Sequence, residues 1–382
     1  GVKSTLDACP LCRQPTIAPL DHLAVCFDRQ EAAIDDIFMG GNYLTEEFAS
    51  RKWFSRLLTW MGFGGYRIGR NSGNILVQDR RTGRIVEERI PTFVRLGMRW
   101  LYQNRVNRQA VDGQLLRGLF STLTHRQGVR FDDPASARHI AAFCRYHELD
   151  LDEILHPLDH FRTFNEFFYR QLKPGARQLA APDDPRVLNS PADSRLLCFP
   201  TVTAATALWI KGANFTVPTL LCSRWAARFQ DAPAVAVCRL APQDYHRFHS
   251  PVAGRIVDVQ SVPGAYLTVN PMAVRQNLDV FTENARTVVV IESEAHGTVA
   301  FVAVGATMVG SVVLTVGGAG GAVGARVERM QELGYFAFGG STVILLFERG
   351  RVQFDADLVE NSMQPLETLV RVGDAIGLSR VD

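Results

Sequence analysis

Ser341 stands in "ELGYFAFGGSTVILLFE", between two hydrophobic runs. Tyr335, Phe336 and Phe338 before it, and Val343 to Phe347 after it, read as strand, because aromatic and β-branched side chains suit a pleated surface. A hairpin between such runs normally carries Asn-Gly or Asp-Gly with polar flanks. Here Gly339, Gly340, Ser341 and Thr342 sit between apolar flanks instead. Such a serine is either an ordinary turn residue or a nucleophile. Two other stretches bear on the choice. "SPADSRLL" carries Asp193, and "RLAPQDYHRFHSPVAGRI" carries His246 and His249, three apart. Ser, His and Asp supply a nucleophile, a base, and a group that orients the base and stabilises its cation. Each also has a plainer reading, Asp193 as a turn cap and His249 as a hydrogen-bonded core histidine.

A second constellation lies near the start. "CPLCRQPTIAPLDHLAVC" spaces Cys9, Cys12, His22 and Cys26 as Cys-x2-Cys-x9-His-x3-Cys. Two thiolates on a tight turn, then a His and a Cys one helical turn apart, can converge on a tetrahedral ion. That is structural-zinc spacing, with no open position for chemistry. A redox Cys-x2-Cys pair and accidental spacing compete with it. Cys144, Cys198, Cys222 and Cys238 lie in apolar surroundings and are expected to be buried thiols.

The elements that must position these residues fall into three parts, with an α+β fold class. Residues 1–27 form the small Cys/His unit. Residues 28–185 read mainly as helix, with helical spacing of apolar positions in "DRQEAAIDDIFM" and "TEEFASRKWFSRLLTWMGF". "NILVQDRRTGRIVEERI" interrupts them as a hairpin around Gly83. Pro91 opens "PTFVRLGMRWLYQ", and Asp133 with Pro134 opens the next helix as N-cap and first helical position. Thr163 and Glu166 stand in capping-box spacing. Pro174, Gly175, Pro182 and Pro185 mark a boundary. Residues 186–382 then read as a β-rich, barrel- or sandwich-like domain of about a dozen short strands.

Composition narrows the class. Hydrophobic residues make up 47% of the 382, so a sizeable core can be buried. Net charge is only +2, and no nucleic-acid partner is indicated. Between residues 50 and 110, however, 13 Arg and Lys face 3 Asp and Glu, together with Trp53, Trp60 and Trp100. Cations beside aromatic side chains suit a membrane interface with anionic lipid; packing into the chain's own core is the competing reading. Seven scattered cysteines favour a reducing compartment. The chain opens on Gly1 rather than Met, as expected of a fragment or a processed product. Residues 297–325 carry no charge and are long enough to span a bilayer, but their alternation of bulky and small residues predicts strands.

"FNEFFYRQLKPGAR", "SPAD", "DYHRFHSPV", "VNPMAVRQNLDVFTENAR", "FVAVGATMVGSV" and "YFAFGGST" together resemble the phosphatidylserine decarboxylase family over roughly residues 160–380, in family order. The helical part and the Cys/His unit resemble its longer eukaryotic extramitochondrial form. The resemblance implies a precursor that cuts itself between Gly340 and Ser341. Ser341 Oγ attacks the Gly340 carbonyl to give an ester, with His249 taking the proton and Asp193 orienting the imidazole. Elimination releases the Gly340 carboxylate, and hydrolysis with loss of ammonia leaves a pyruvoyl group at position 341. Chains 1–340 (β) and 341–382 (α) then stay together. The pyruvoyl ketone is expected to form a Schiff base with the amine of phosphatidylserine and to act as electron sink for decarboxylation to phosphatidylethanolamine. His249 would return the proton, with His246 nearer the substrate.

The same resemblance implies a peripheral protein on the cytosolic face of an endomembrane, and it is compatible with a homodimer. Two alternatives stand beside it: a pyruvoyl-dependent decarboxylase of a free aromatic amino acid, and a zinc-bearing membrane adaptor without activity. For the Cys/His unit, Cys9→Ser is expected to lose bound zinc without abolishing self-cleavage. Metal analysis of the purified variant beside the unmutated chain checks this, and absence of zinc from the unmutated chain would end the assignment.

Overall fold

The computed structural model describes residues 75–88, 131–208, 210, 215–265, 280–305, 311–318, 321–337, 341–364 and 366–380. The Cys/His unit and all the helices expected before residue 131 lie outside the described residues. What is described mixes helix and strand, with sheet dominant.

The strands are β1 (Ile75–Asp79), β2 (Ile85–Glu88), β3 (Val187–Asn189), β4 (Ser194–Phe199), β5 (Ala234–Leu240), β6 (Arg247–His249), β7 (Gly254–Val262) and β8 (Arg286–Ser293). There follow β9 (Gly297–Val304), β10 (Ser311–Leu314), β11 (Arg326–Val327), β12 (Glu332–Ala337), β13 (Ser341–Phe347), β14 (Val352–Phe354), β15 (Leu366–Val370) and β16 (Ala375–Ser379). Ten of them make one sheet in the order β11-β7-β8-β9-β13-β5-β4-β15-β1-β2, and two three-stranded sheets run β10-β12-β6 and β14-β16-β3. Every pairing is antiparallel except that of β1 with β15.

Continuous apolar runs predict strands covered on both faces, and the burial agrees. All residues of β4, β5 and β13 are buried, as are all but Gly297 of β9. The uncharged stretch from Gly297 supplies β9 and β10, as its alternation predicts, and no described helix is long and apolar enough to cross a membrane. The two runs around Ser341 are strands too, but they do not form a hairpin. β12 belongs to a three-stranded sheet, whereas β13 lies between β9 and β5 in the large one. The chain therefore changes sheets between Ala337 and Ser341. Phe248 of β6 ties the two sheets together, its ring 4.9 Å from that of Phe336 and 5.4 Å from that of Phe301.

The local signals before residue 186 appear with modifications. The hairpin around Gly83 forms, with Gly83 at φ +69°, and β1 then joins the large sheet beside β15. Asp133 Oδ1 accepts from Ala135 N–H, and Pro134 opens a 3₁₀ turn that leads into helix α1 (Ile140–Tyr146). Thr163 caps helix α2 (Phe164–Phe168) by accepting from Glu166 N–H. Glu166 completes the cap one residue further out, accepting from Arg162 N–H rather than from Thr163. Phe143, Phe164 and Phe167 form an aromatic cluster separate from the main core. Residues 170–186 do not hang free as a linker. Ala180 N–H donates to the Gly373 carbonyl, and Arg329 Nη2 donates to the Ala181 and Pro182 carbonyls. One expectation is corrected: Cys144, Cys198 and Cys238 are buried, but Cys222 is exposed. It caps a short helix in left-handed backbone, where its Sγ donates to the Thr219 carbonyl and accepts from Arg286 Nη2.

Gly334 marks the tightest approach in the β10-β12-β6 sheet. A Cβ built there would lie 2.1 Å from the Val313 carbonyl oxygen and 2.8 Å from Phe248 Cζ. Gly334→Ala must therefore move the backbone of β10 or displace the ring that joins the sheets. A loss of about 1–3 kcal/mol is expected for such overpacking. Chemical denaturation of the Gly334→Ala chain beside the unmutated chain measures it.

Candidate active site

Ser341 opens β13 opposite Leu240 of β5, and Thr342 follows opposite Arg239 on one side and Val304 on the other. Pairing on both edges fixes the backbone from Thr342 onward. Both residues are fully buried, yet neither Ser341 Oγ nor Thr342 Oγ1 has a hydrogen-bond partner. A buried hydroxyl without a partner costs about 1–3 kcal/mol, and native structures retain few of them. Two in succession, leading an otherwise apolar strand, mark a place where stability is forgone. Gly339 and Gly340 lie outside the described residues.

His249 ends β6 opposite Glu332 of β12, and its N–H donates to the Pro191 carbonyl at 2.8 Å. The ring is buried beside Tyr245, with centroids 5.7 Å apart, and Nδ1 has no hydrogen-bond partner. Burial lowers its pKa to about 4, Glu332 and Asp193 pull upward, and Arg247 and Arg177 push further down. At neutral pH His249 is thus an uncharged imidazole able to take a proton. The Ser341 hydroxyl is hydrogen-bonded to neither histidine.

Asp193 follows two residues after Pro191, in the turn between β3 and β4. The structure brings it close enough for its charge to act on His249, but no hydrogen bond joins the two. Its oxygens are taken elsewhere. Arg177 Nε donates to Oδ1 at 2.9 Å and to Oδ2 at 3.0 Å, Arg177 Nη2 donates to Oδ2 at 2.5 Å, and Val372 N–H donates to Oδ1 at 2.9 Å. The orienting contact expected from the sequence is thus absent from this arrangement, and Arg177 stands in its place.

His246 is fully buried one strand position before β6. Its Nδ1 is 2.9 Å from the Asp244 carbonyl oxygen, and the Phe168 ring covers it at 3.8 Å between centroids. Asp244 is itself buried, which raises its pKa, while its ion pair with Arg195 opposes that rise. Helix α2 therefore reaches the histidine pair through Phe168 and through Tyr169, whose carbonyl accepts from Arg247 Nε.

Sequence reasoning missed Arg177, Glu332 and Arg247. Arg247 Nη1 binds Glu332 Oε1 at 2.8 Å directly beside His249. Nothing local marks these residues. Arg177 looks like any basic residue in a Pro/Gly loop until folding sets Asp193 against it. All three lay in stretches already quoted, Arg177 at the end of "FNEFFYRQLKPGAR", Arg247 between the two histidines and Glu332 at the head of "ELGYFAFGGSTVILLFE", but their residue types gave no reason to single them out. Among the described residues no group of His, Cys, Asp and Glu could hold a metal ion; Cys9, Cys12, His22 and Cys26 lie outside them.

Comparison with known proteins assigns the chain to a family. The family model for phosphatidylserine decarboxylase matches residues 164–378. The chain is 44% identical over 381 residues to "Phosphatidylserine decarboxylase proenzyme 2" of Komagataella phaffii, covering 97% of this chain and 37% of that protein. It is 43% identical over 386 residues to the proenzyme 2 of Oryza sativa subsp. japonica, covering 98% and 60%. With the "Phosphatidylserine decarboxylase proenzyme" of Fusobacterium nucleatum the identity is 33% over 299 residues, covering 78% of this chain and 96% of that one. The chain thus spans less than two thirds of the length of the fungal and plant relatives and nearly the whole of the bacterial one. A family match over more than half the chain, spanning Asp193, His246, His249 and Ser341, means that the chain belongs to the phosphatidylserine decarboxylase family.

Proposed function

We propose that this chain is a self-processing decarboxylase that converts phosphatidylserine to phosphatidylethanolamine. The observation that carries the reading is the buried, unpartnered hydroxyl of Ser341 at the head of β13, in a family whose relatives are named proenzymes. Ser341 Oγ acts as the nucleophile on the Gly340 carbonyl, and His249, uncharged and buried, accepts its proton. Asp193 supplies negative charge beside the imidazole. His246 lies on the substrate side under Phe168.

An unpartnered Ser341 Oγ, together with a histidine whose Nδ1 is not hydrogen-bonded, fits conversion of Ser341 to a pyruvoyl group. Once formed, that ketone supplies an electron sink for loss of the substrate carboxylate. The chain's own contribution is burial, which excludes water from position 341, and a histidine able to move a proton. The α chain beginning at residue 341 carries β13 to β16, whose pairings with β5, β9, β4, β1 and β3 hold it in place after the cut.

The wider reading has a structural zinc in a Cys/His unit (1–27), a mainly helical membrane-facing segment (28–185) and the processing domain (186–382). The basic, aromatic stretches 51–63 and 91–101 contact anionic lipid, so the protein sits at the cytosolic face of an endomembrane, with a homodimer as a compatible assembly. Their composition supports this, since a headgroup must reach Ser341 while the acyl chains stay in a bilayer.

Ser341→Ala is expected to leave the chain whole, and His249→Ala to slow cutting by about 10²–10⁴-fold. Denaturing electrophoresis and intact mass measure both, and a normally cut Ser341→Ala chain would refute the assignment. Conversion of phosphatidylserine in liposomes, with soluble aromatic amino acids as the comparison, tests the substrate.

The low pKa of His249 gives the pH dependence. The folded group stays uncharged well below pH 6.5, so the base remains available as pH falls from 7.5 to 5.5. A base of ordinary pKa would be roughly nine-tenths protonated at pH 5.5. Self-cleavage of freshly made chain is therefore expected to lose less than half its rate over that interval, and a time course at each pH measures it. The same shift bears on stability. The unfolded chain binds the proton near pH 6.5 and the folded one only near 4, so this contribution is present above 6.5 and is lost as pH falls through 4.

A further inference from the structure

The buried arginines differ in how their charge is met. Arg195 pairs with Asp244, and Arg239 with Glu367. Arg177 lies between Asp193 and Glu153, and Glu153 also takes Arg371 Nη1 at 2.9 Å. Arg286 has no carboxylate, but each of its nitrogens donates to a backbone carbonyl. Arg170 has neither arrangement. It is 6% exposed, and Nη2 donates to the Gln243 carbonyl at 3.0 Å and to the Asp244 carbonyl at 3.4 Å. Nε and Nη1, which carry three of the five guanidinium N–H groups, are buried without a hydrogen-bond partner. Among the described residues no carboxylate forms an ion pair with Arg170, and the Phe167 ring, 4.9 Å from Cζ, offers only a cation–π contact. A buried charge left in that state is costly.

The place of Arg170 suggests what it is kept for. Leu240 at the end of β5 stands opposite Ser341, and the His246 carbonyl just before β6 accepts from Phe336 N–H at 3.0 Å. Residues 241–245 thus make the same passage between the two sheets as the chain makes between Ala337 and Ser341. Arg170 grips two carbonyls of that passage. One of them, that of Asp244, is also 2.9 Å from His246 Nδ1, so guanidinium and imidazole share an acceptor. Phe168, two residues before Arg170, covers the same imidazole.

We propose that Arg170 is the subsite for the phosphodiester of the substrate headgroup. This rests on the reading of the chain as a phosphatidylserine decarboxylase. The headgroup carries two anions, a carboxylate and a phosphodiester. A cation on the carboxylate would stabilise a charge that must leave as neutral carbon dioxide, and so would oppose the reaction. The phosphodiester keeps its charge throughout, and a planar fork of N–H donors fits its oxygens. Binding there holds the headgroup equally in ground and transition states, which lowers KM and leaves kcat. The uncut chain encloses Nε and Nη1. Substrate has no ketone to meet until the cut, and the cut severs the companion passage between the sheets.

The test uses the full chain after self-cleavage, with short-chain phosphatidylserine in solution. Arg170→Gln is expected to raise KM by about 10–100-fold, the value of a charge-assisted hydrogen bond, and to change kcat by less than about threefold. Glycerophosphoethanolamine, which carries the phosphodiester without acyl chains, should inhibit the unmutated enzyme and lose potency in Arg170→Gln by the same factor as KM. Ethanolamine, which lacks the phosphate, should act on both alike. An unchanged KM would overturn the proposal, as would a loss confined to kcat, an equal loss toward ethanolamine, or no inhibition of the unmutated enzyme by glycerophosphoethanolamine. Where Arg170→Gln does not fold or cut, Arg170→Lys decides: it keeps the charge but not the fork, and it should show the same selective rise in KM by about threefold or more. A cut, unmutated chain that turns over no phosphatidylserine would count against the substrate reading, while calorimetric binding of glycerophosphoethanolamine, which needs no turnover, would still decide the role of Arg170.

Discussion

The hydrogen bonding of β13 on both edges is the constraint on which the other features depend. From Thr342 to Phe347 each residue faces one partner on β5 and another on β9. This ladder spends the strand's backbone groups and buries its apolar side chains on both faces. It also pins the first residue, Ser341, in a place without water and without a hydrogen-bond partner for its hydroxyl. Two or more kcal/mol of forgone hydrogen bonding at positions 341 and 342 can persist only because the surrounding sheet over-determines the strand. The same ladder allows the backbone before Ser341 to be severed without loss of the piece that follows.

Around His249 the protein arranges paired charges. His249 is buried deeply enough that its charged form is disfavoured, yet two carboxylates stand near it. Desolvation is the largest influence on it, and each carboxylate is paired with a guanidinium. Buried ion pairs of this kind add little stability by themselves, since desolvation offsets most of the Coulomb gain. The large sheet carries Ser341 and the small one His249, and Phe248 packs against Phe301 of the first and Phe336 of the second.

Much of this was legible in the residues. The apolar runs that became β4, β5, β9 and β13 announced fully covered strands, and Gly83, Asp133, Pro134 and Thr163 marked their turn and caps correctly. Ser341, His246, His249 and Asp193 could be named as candidates from the residues alone, and all four are buried in the fold. Errors arose where a local rule met a tertiary demand. Thr163 and Glu166 have the spacing of a reciprocal cap, but Glu166 bends one residue further to reach Arg162. Cys222 lies among apolar neighbours in sequence, but the helix end it caps turns it outward.

The sequence by itself determined which segments are strands, which residues can act as nucleophile, base and acid, and where the peptide next to the serine is unusual. These follow from side-chain chemistry and from periodicity, both of which are written locally. Only the tertiary structure decided that β12 and β13 belong to different sheets, that Asp193 is bound by Arg177 rather than by His249, and that Arg371 and Val372 complete a shell begun at Glu153. Such pairings join residues up to 218 positions apart. Their strength depends on burial and on the distance between charges in space, and neither quantity exists until the chain has folded.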